Sequence, residues 1–323
     1  MTVRLDKNEM YKPPPGKIVE YIKRSINEIN RYTPQEEVNR LLKQLALYTK
    51  SPIESIILSS GSDLLIKEFI FLFSNNRQII IAEPTFVVIN NAAQNTESSL
   101  VKLRLHEPDF KLSLEPLMNE LDKPSLLVFD NPNNPTGRLI IDRAQIERLL
   151  QFDDIILMID EAYFEFSKVS FVNLIEKYPN IAIVRTLSKS FGLAGSGIGY
   201  LIAGDLIRKK FQGLDIMLPY PSVIAGINAL RHQDYMIDYV NEVQNEKKRI
   251  TKYLSELNIT CFPSYANFVL VKTTKPHISQ ILAKHGILVH DVSNQLSSEF
   301  IRVTIGSKEE NDYFLRAIEK ILV

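Results

Sequence analysis

Short apolar runs rich in isoleucine and valine recur along the chain, and segments of helical period separate them. Runs that are apolar on both faces and spaced by helices are typical of a mostly parallel sheet covered on both sides. Amphipathic segments such as Ser62–Phe73 and Asp142–Phe152 supply the helices. The pattern therefore predicts an α/β fold with these strands: Ile56–Ser59, Gln78–Ala82, Ser99–Leu105, Leu126–Asp130, Ile155–Asp160, Ile181–Leu187 and Gly199–Ala203.

The pattern changes near residue 220, where Pro219 and Pro221 bracket a break. A long helix is predicted from Gln233 to Leu257. The elements predicted after it are a strand, a helix, two strands and a closing helix: Ala266–Lys272, His277–His285, Ile287–His290, Phe300–Ile305 and Lys308–Leu322. We therefore predict a large domain over residues 31–230 and a smaller α+β domain built from residues 1–30 and 231–323.

Composition excludes several classes of function. The 323 residues carry 38 basic and 38 acidic side chains, a balance that argues against a nucleic-acid or membrane-surface protein. No apolar run approaches the roughly 18 residues that span a bilayer, and MTVRLDKNEM does not read as a signal peptide. Cys261 is the only cysteine and the five histidines are scattered, so no metal site is expected. We expect a cytoplasmic protein.

Candidate chemical groups follow several of the predicted strands. In an open α/β sheet, ligands bind beyond the carboxyl ends of the strands. The polar residues at these positions are Gly61, Ser62, Asp63, Asn134, Asp160 and Lys189. A lysine amine can bond covalently to the aldehyde of pyridoxal phosphate (PLP), and an aspartate can keep its pyridine nitrogen protonated. Because backbone N–H groups at a helix start can hold a phosphate, this set suits PLP.

The strings DNPNNPTG, DEAYFEF and RTLSKSFGLAGSGIGY resemble the fold-type I PLP-dependent aminotransferases, and in particular the histidinol-phosphate aminotransferase group. The strings LDKNE, RYTP, SSGSD, EPTF, PSYANFVLV, HGILVHD and IRVTIGSKEEN extend the resemblance over almost the whole chain. The resemblance implies the aspartate-aminotransferase fold and PLP as cofactor. It also implies transfer of an amino group between an amino acid or amine phosphate and a 2-oxo acid, with histidinol phosphate and 2-oxoglutarate as the expected pair.

The resemblance assigns a role to each matching residue. Lys189 corresponds to the lysine that carries the cofactor, and Asp160 to the partner of the pyridine nitrogen. Tyr163 and Asn134 correspond to the residues that hydrogen-bond the phenolic oxygen of PLP, and Phe86 to the ring stacked on it. The expected phosphate cup consists of Gly61, Ser62, Asp63, Thr186 and Ser188.

Further matches concern the substrate and the partner subunit. Arg302 corresponds to the arginine that clamps the substrate carboxylate, a role that needs a bidentate donor. Asn8 and His290 are expected to line the substrate side of the site. Tyr32 in RYTP corresponds to a tyrosine that reaches the cofactor phosphate of the neighbouring subunit, which implies a homodimer.

The sequence departs from the family pattern at two places. The arginine that pairs with the cofactor phosphate is Gly197 here, so we expect the helix start and the hydroxyls to hold the phosphate more weakly, with replacement of the charge by Arg185 or Arg138 as the alternative. The arginine of the family's GIxVR string, near the distal phosphate of the substrate, is His290. A PLP lyase such as threonine-phosphate decarboxylase, or a relative without catalysis, therefore stays an alternative. A dinucleotide fingerprint is rejected, since GSGIGY lacks its third glycine and its strand–turn–helix frame.

Overall fold

The computed structural model describes residues 2–211 and 217–322. Its strands are β1 (Val3–Leu5), β2 (Ile56–Ser59), β3 (Gln78–Glu83), β4 (Leu100–Arg104), β5 (Ser125–Asp130), β6 (Ile155–Asp160), β7 (Ile181–Thr186), β8 (Gly199–Ala203), β9 (Thr260–Cys261), β10 (Phe268–Lys272), β11 (Ile287–Asp291) and β12 (Phe300–Thr304).

The α-helices are α1 (Gly16–Ser25), α2 (Gln35–Thr49), α3 (Ser62–Ser74), α4 (Val87–Gln94), α5 (Leu114–Asn119), α6 (Arg143–Leu149), α7 (Phe164–Ser167), α8 (Asp205–Phe211), α9 (Tyr220–Arg231), α10 (Asp234–Glu256), α11 (Ile278–Lys284) and α12 (Lys308–Leu322). Single 3-10 turns lie at Ile26–Glu28, Ile53–Ser55, Val172–Leu174 and Ala194–Ser196. None of the described helices is long and apolar enough to cross a membrane.

The large sheet has seven strands in the order β2-β8-β7-β6-β5-β3-β4. Its strands pair in parallel, except that β8 runs antiparallel to both β2 and β7. Every residue of β5, β6 and β7 is buried, because helices cover both faces of the sheet. The predicted mostly parallel, helix-covered sheet is confirmed.

Gly199 fixes the distance between β8 and the start of α3. A Cβ at this position would lie 2.3 Å from the carbonyl carbon of Gly61 and from the backbone nitrogen of Ser62. Since no side chain fits there, the turn that opens α3 packs directly on the backbone of the sheet.

The smaller sheet unites the two ends of the chain. Its order is β1-β11-β12-β10-β9, with β1 parallel to β11 and the other neighbours antiparallel. With α11 and α12 it forms the predicted α+β unit, in which β1 is a strand that the sequence pattern did not indicate.

The break expected at Pro219 and Pro221 is the start of α9, because proline fits the first turn of a helix. Helices α1 and α2 both pack on α9, while β1 belongs to the smaller sheet. The first thirty residues therefore contact both units, and the division into residues 31–230 and the two chain ends stays a prediction.

Candidate active site

A cavity of about 540 Å³ opens at the carboxyl ends of β5, β6 and β7, a volume typical of small-molecule sites. The structure brings together at its wall every site residue that the sequence predicted except Tyr32: Asn8, Gly61, Ser62, Asp63, Phe86, Asn134, Asp160, Tyr163, Thr186, Ser188, Lys189, His290 and Arg302. Tyr32 lies outside the cavity and is 83% exposed.

Sequence reasoning missed several residues of the cavity wall, namely Asp6, Lys7, Ser60, Val87, Asp130, Ala162, Ala194 and Gln295. Asp130 could have been found, because it ends the strand that precedes the loop of Asn134. Asp6 and Lys7 stand in the LDKNE string beside Asn8. Gln295 has no signal in the sequence pattern.

Lys189 follows β7 and is separated from it by Leu187 and Ser188. Its Nζ donates to the backbone oxygen of Lys7 over 3.4 Å. Burial lowers the pKa of this amine, and the positive charge of Arg302 lowers it further. A lower pKa raises the share of the neutral amine, which is the form that acts as nucleophile and base.

Asp160 is the last residue of β6 and is buried. One of its carboxylate oxygens accepts a hydrogen bond from the backbone N–H of Ala162 at 3.0 Å. Burial raises the pKa of Asp160 to about 8, with a further contribution from the charge of Asp130. A cationic N–H group placed in the cavity would offset both effects and favour the carboxylate.

Asp130 organises the loops on either side of it. Its carboxylate accepts hydrogen bonds from the hydroxyl of Thr85 at 2.8 Å and from the Asn133 amide at 3.0 Å. It also accepts from the backbone N–H groups of Phe86 at 3.1 Å and Asn134 at 2.6 Å. The ring of Phe86 and the amide of Asn134 thus take their places in the cavity from one buried carboxylate.

Arg302 lies on β12 and enters the cavity from the smaller sheet. Its Nη1 donates to Asn134 Oδ1 at 2.6 Å, and its Nη2 donates to the backbone oxygen of Asp6. Among the described residues, its buried Nε has no hydrogen-bond partner. A buried guanidinium with an unused donor is suited to an anionic ligand.

The tyrosine of the site is held from the same side. Asn8 donates through Nδ2 to Tyr163 Oη at 2.8 Å, and the Tyr163 ring meets that of Phe268 edge to face at 5.2 Å. Burial raises the pKa of Tyr163 to about 12, whereas the charge of Arg302 and the bond from Asn8 lower it. The phenol is therefore a hydrogen-bond donor at neutral pH.

The start of α3 forms a cup for an anion. Gly61 precedes the helix at φ +99°, and no side chain caps the first N–H groups. The hydroxyl of Thr186 donates to the backbone oxygen of Ile198 at 2.9 Å and lies 2.9 Å from that of Ser188. N–H groups at a helix start together with hydroxyls can hold a phosphate.

Position 197 brings no cation to this cup, and neither of the two arginines considered as a replacement is available. Gly197 adopts the left-handed conformation at φ +56° and borders the cavity. Arg185 is buried in an ion pair with Glu161 at 2.8 Å, and Arg138 donates to the backbone oxygens of Asp109 and Pro263. The alternative in which one of these arginines replaces the missing charge is therefore not supported, because both are bound elsewhere.

His290 faces the cavity beside Arg302, its partner across the β11–β12 ladder. Burial lowers the pKa of His290 to about 4, and the charge of Arg302 lowers it further. This imidazole is neutral at pH 7 and does not supply the charge of the arginine that the family has here.

The cavity fits PLP on the donor set alone. The uncapped helix start would hold the phosphate, the buried carboxylate of Asp160 would pair with the cationic ring N–H, and the Lys189 amine of lowered pKa would bond to the aldehyde, all at the wall of one cavity. Within the described part of the chain, no cluster of acidic, histidine or cysteine side chains could hold a metal ion.

Comparison with known proteins agrees with this geometry. The family model described as aminotransferase class I and II matches residues 1–318. The histidinol-phosphate aminotransferase of Thermococcus gammatolerans is 35% identical over 99% of this chain and 92% of its own length. The enzyme of that name from Sulfurisphaera tokodaii is 31% identical over 99% and 90%.

A solved structure shares the fold. The histidinol-phosphate aminotransferase of Sinorhizobium meliloti, in complex with pyridoxal-5'-phosphate, superimposes with a TM-score of 0.86 at 24% identity, covering 99% of this chain and 90% of that one. The family match spans nearly the whole chain, and the two relatives exceed 30% identity over nearly their full length. The chain therefore belongs to the aminotransferase class I and II family and is a PLP-dependent transaminase of fold type I.

Proposed function

We propose that this transaminase moves the amino group of histidinol phosphate to 2-oxoglutarate, as a homodimer in the cytoplasm. The observation that carries the proposal is the buried Arg302 at the cavity wall, whose Nε has no partner among the described residues. One guanidinium can bind the phosphate of the first substrate and the carboxylate of the second, because both are planar or tripodal oxyanions that accept bidentate bonds. The names and identities of the curated relatives support this choice.

Two further atoms of the cavity wall support an imidazole-bearing substrate. Within the described residues, Asp6 Oδ1 and Gln295 Oε1 are buried acceptors without a hydrogen-bond partner. Buried acceptors of this kind usually meet a donor in the functional state. The ring N–H of histidinol phosphate is such a donor, and neither a phosphate nor a carboxylate could take its place.

Each residue of the site has one physical task in this proposal. PLP, when bound, supplies an electrophilic aldehyde carbon and an electron-accepting ring. Lys189 holds the cofactor and, as the neutral amine, takes the proton from the substrate Cα. Asp160 keeps a proton on the pyridine nitrogen. Tyr163 and Asn134 donate to the phenolic oxygen.

The other residues bind and orient. Phe86 stacks on the cofactor ring, and Arg302 and Asn134 fix the anionic end of the substrate through their mutual bond. The phosphate of the cofactor is held by the start of α3, with hydroxyls beside it: Gly61, Ser62, Asp63, Thr186 and Ser188. Asn8 and His290 border the substrate, and Tyr32 of the partner subunit completes the phosphate cup.

A half-reaction screen tests the substrate. Purified holoenzyme is mixed with histidinol phosphate, histidinol, L-glutamate or O-phospho-L-threonine, and the visible absorbance of the cofactor is followed together with release of carbon dioxide. Histidinol phosphate and glutamate should bleach the band without gas release, and histidinol should react poorly for want of the phosphate. Carbon dioxide from phosphothreonine would contradict the proposal and favour the decarboxylase.

Subunit complementation tests the homodimer. Lys189→Ala and Tyr32→Phe chains are each expected to be impaired alone. In mixed dimers, one of the two sites regains both Lys189 and the partner's Tyr32, so activity should rise on mixing. A matched mixture of Lys189→Ala with Tyr21→Phe, whose ring also lies on the surface, shows what wild-type-like partners give. No gain for the Tyr32 mixture, or a fully active monomer, would contradict the shared site.

A further inference from the structure

Asn8 connects the N-terminal segment to Tyr163, and all of its polar groups are used. Its Nδ2 donates to Tyr163 Oη at 2.8 Å, and its backbone oxygen accepts from Asn267 Nδ2 at 3.1 Å. Its backbone N–H donates to Thr304 Oγ1 at 3.0 Å, and its Oδ1 accepts from the same hydroxyl at 2.9 Å. Two hydrogen bonds therefore hold the side-chain amide, and two more hold the backbone of the same residue.

The backbone of Asn8 is equally constrained. Its φ is +55°, in the left-handed region that asparagine tolerates better than most residues, and the residue is 1% exposed. Conformations of this kind persist where the surroundings over-determine them, and they cluster at functional sites. Thr304 and Asn267 provide that restraint from β12 and from the residue before β10.

The hydrogen bonds with Thr304 decide which way the Asn8 amide faces. The threonine hydroxyl accepts a hydrogen bond from the backbone N–H of Asn8 and donates its single proton to Asn8 Oδ1. The NH₂ group of Asn8 then faces Tyr163 and donates to its oxygen. Because Tyr163 Oη accepts this hydrogen bond, the O–H proton of Tyr163 can donate to another group.

We propose that Asn8 is a positioning residue for Tyr163, whose amide donates to the phenol oxygen so that the phenol proton points into the cavity at the phenolic oxygen of PLP. This inference rests on the role given to Tyr163 in the proposed function. It replaces a direct contact between Asn8 and the substrate as the reason for this asparagine.

The charges around Tyr163 make the bond from Asn8 consequential. Burial raises the pKa of the phenol, and the carboxylates of Asp160 and Asp130 raise it further. Arg302 and the hydrogen bond from Asn8 act in the opposite direction. Asn8 thus makes Tyr163 a stronger donor as well as an oriented one.

The test uses the pH dependence of the visible absorbance of bound PLP in the holoenzyme, beside kcat and KM. Tyr163→Phe gives the full effect of losing the phenol. Asn8→Gly removes the amide but keeps a residue that adopts positive φ without strain. Asn8→Asp keeps the shape but offers only acceptors, so the phenol proton would turn toward it. The double variant Asn8→Gly with Tyr163→Phe completes a cycle.

In the single variant, Asn8→Gly should move the midpoint of the absorbance titration in the same direction as Tyr163→Phe, by a few tenths to about one unit, and lower kcat roughly two- to tenfold. Asn8→Asp should move it further. In the Tyr163→Phe background the effect of Asn8→Gly should vanish. Thr304→Val, which releases the amide, should reproduce part of the shift.

Three results would overturn the inference. Asn8→Gly could leave the titration unchanged while Tyr163→Phe moves it, or it could have equal effects in both backgrounds, as a direct substrate contact would through KM. If Tyr163→Phe itself leaves the titration unchanged, the role of Tyr163 in the proposed function is wrong, and the inference is wrong with it. The first two results leave the proposed function intact, so the two failures are distinguishable.

Discussion

Asp130 and Asp160 are neighbours across the β5–β6 ladder, each the last residue of its strand, and both are buried at the base of the cavity. Their surroundings differ. Asp130 accepts four hydrogen bonds from the loops around it, whereas Asp160 accepts one, from the N–H of Ala162. Burial raises the pKa of Asp130 to about 6 and that of Asp160 to about 8. Two adjacent carboxyls therefore have separate tasks, one in shaping the loops and one in facing the cavity.

Asp160 should reduce the stability of the protein without cofactor as pH rises. Its folded pKa of about 8 lies above the ordinary 3.8, so the folded state binds the extra proton between these values and loses stability as pH increases. Asp160→Asn should therefore unfold at higher urea than wild type at pH 8, with a gain that shrinks toward pH 4. The variant Asp153→Asn, at an exposed position, serves as the control.

In the holoenzyme, the same Asp160→Asn variant should lose a hundredfold or more in turnover, which is the scale seen when an electrostatic partner is removed.

Lys189→Ala should abolish transamination because it removes the amine that holds the cofactor and takes the Cα proton of the substrate. The fold should survive, since the Nζ makes one long hydrogen bond, to Lys7. Mass spectrometry after borohydride reduction should find the cofactor on Lys189 in the wild type and nowhere in the variant. Circular dichroism and the thermal midpoint control for folding. Turnover at the parental rate would remove Lys189 from the mechanism.

Gly197→Arg should tighten PLP binding. A Cβ at Gly197 meets nothing closer than the carbonyl carbon of Ser60 at 4.0 Å, so the side chain has room. A charged hydrogen bond contributes about 1.5 to 3 kcal/mol, and left-handed φ costs a non-glycine residue about 1 to 2 kcal/mol. Because that backbone cost is paid whether or not the cofactor is bound, affinity should rise about ten- to a hundredfold while the thermal midpoint of the apoprotein falls.

Gly195→Arg is the matched control for position 197, because it adds the same charge two residues away in open space and at ordinary φ. Cofactor titrations of the wild type, Gly195→Arg and Gly197→Arg should show tighter PLP binding only for Gly197→Arg. Equal tightening in both variants would assign the effect to general charge, and unchanged affinity at 197 would mean that the helix start and hydroxyls already saturate the cup.

His290→Arg should lower the KM for histidinol phosphate about tenfold and leave that for histidinol, which lacks the phosphate, nearly unchanged, because it adds a cation that can bind the phosphate. In the wild type, the folded pKa of about 4 lies below the ordinary 6.5. The neutral imidazole thus contributes stability above pH 6.5 that is lost as pH falls toward 4. His290→Gln should flatten this loss in urea titrations between pH 7 and 4. An equal slope in both proteins would contradict the assignment.

The sequence pattern predicted strands of the large sheet well where each strand's own residues carry the signal. Ile155–Asp160 and Gly199–Ala203 have the predicted bounds, since buried strands in a covered sheet are apolar throughout. By contrast, α9 was missed because Pro219 and Pro221 indicate a break as readily as a helix start. The three residues of β1 were missed because their pairing depends on β11, far along the chain.

The residues of the candidate site also differ in how far the sequence pattern predicted them. Asp160 ends one predicted strand and Lys189 follows another, so the edge rule of α/β sheets places them near each other. Arg302 and His290 come from the smaller sheet and Asn8 from the segment after β1, and only resemblance to a family pointed to them. Gln295 and Asp6 enter the cavity through tertiary packing, which no periodicity of the sequence reflects.

The bonds between Asn8 and Thr304 join residues 296 positions apart. Synthesis proceeds from the N-terminus, so residues 6–8 must wait for the last strand before they can take their places beside Arg302. Contacts of such separation are formed late and slow the folding of a chain. A nascent chain that has reached only β8 would already contain Lys189, Asp160 and the phosphate cup, but it would lack Arg302 and the cavity wall around it. The residues proposed to hold the cofactor and those proposed to bind the substrate are therefore completed at different points of the chain's synthesis.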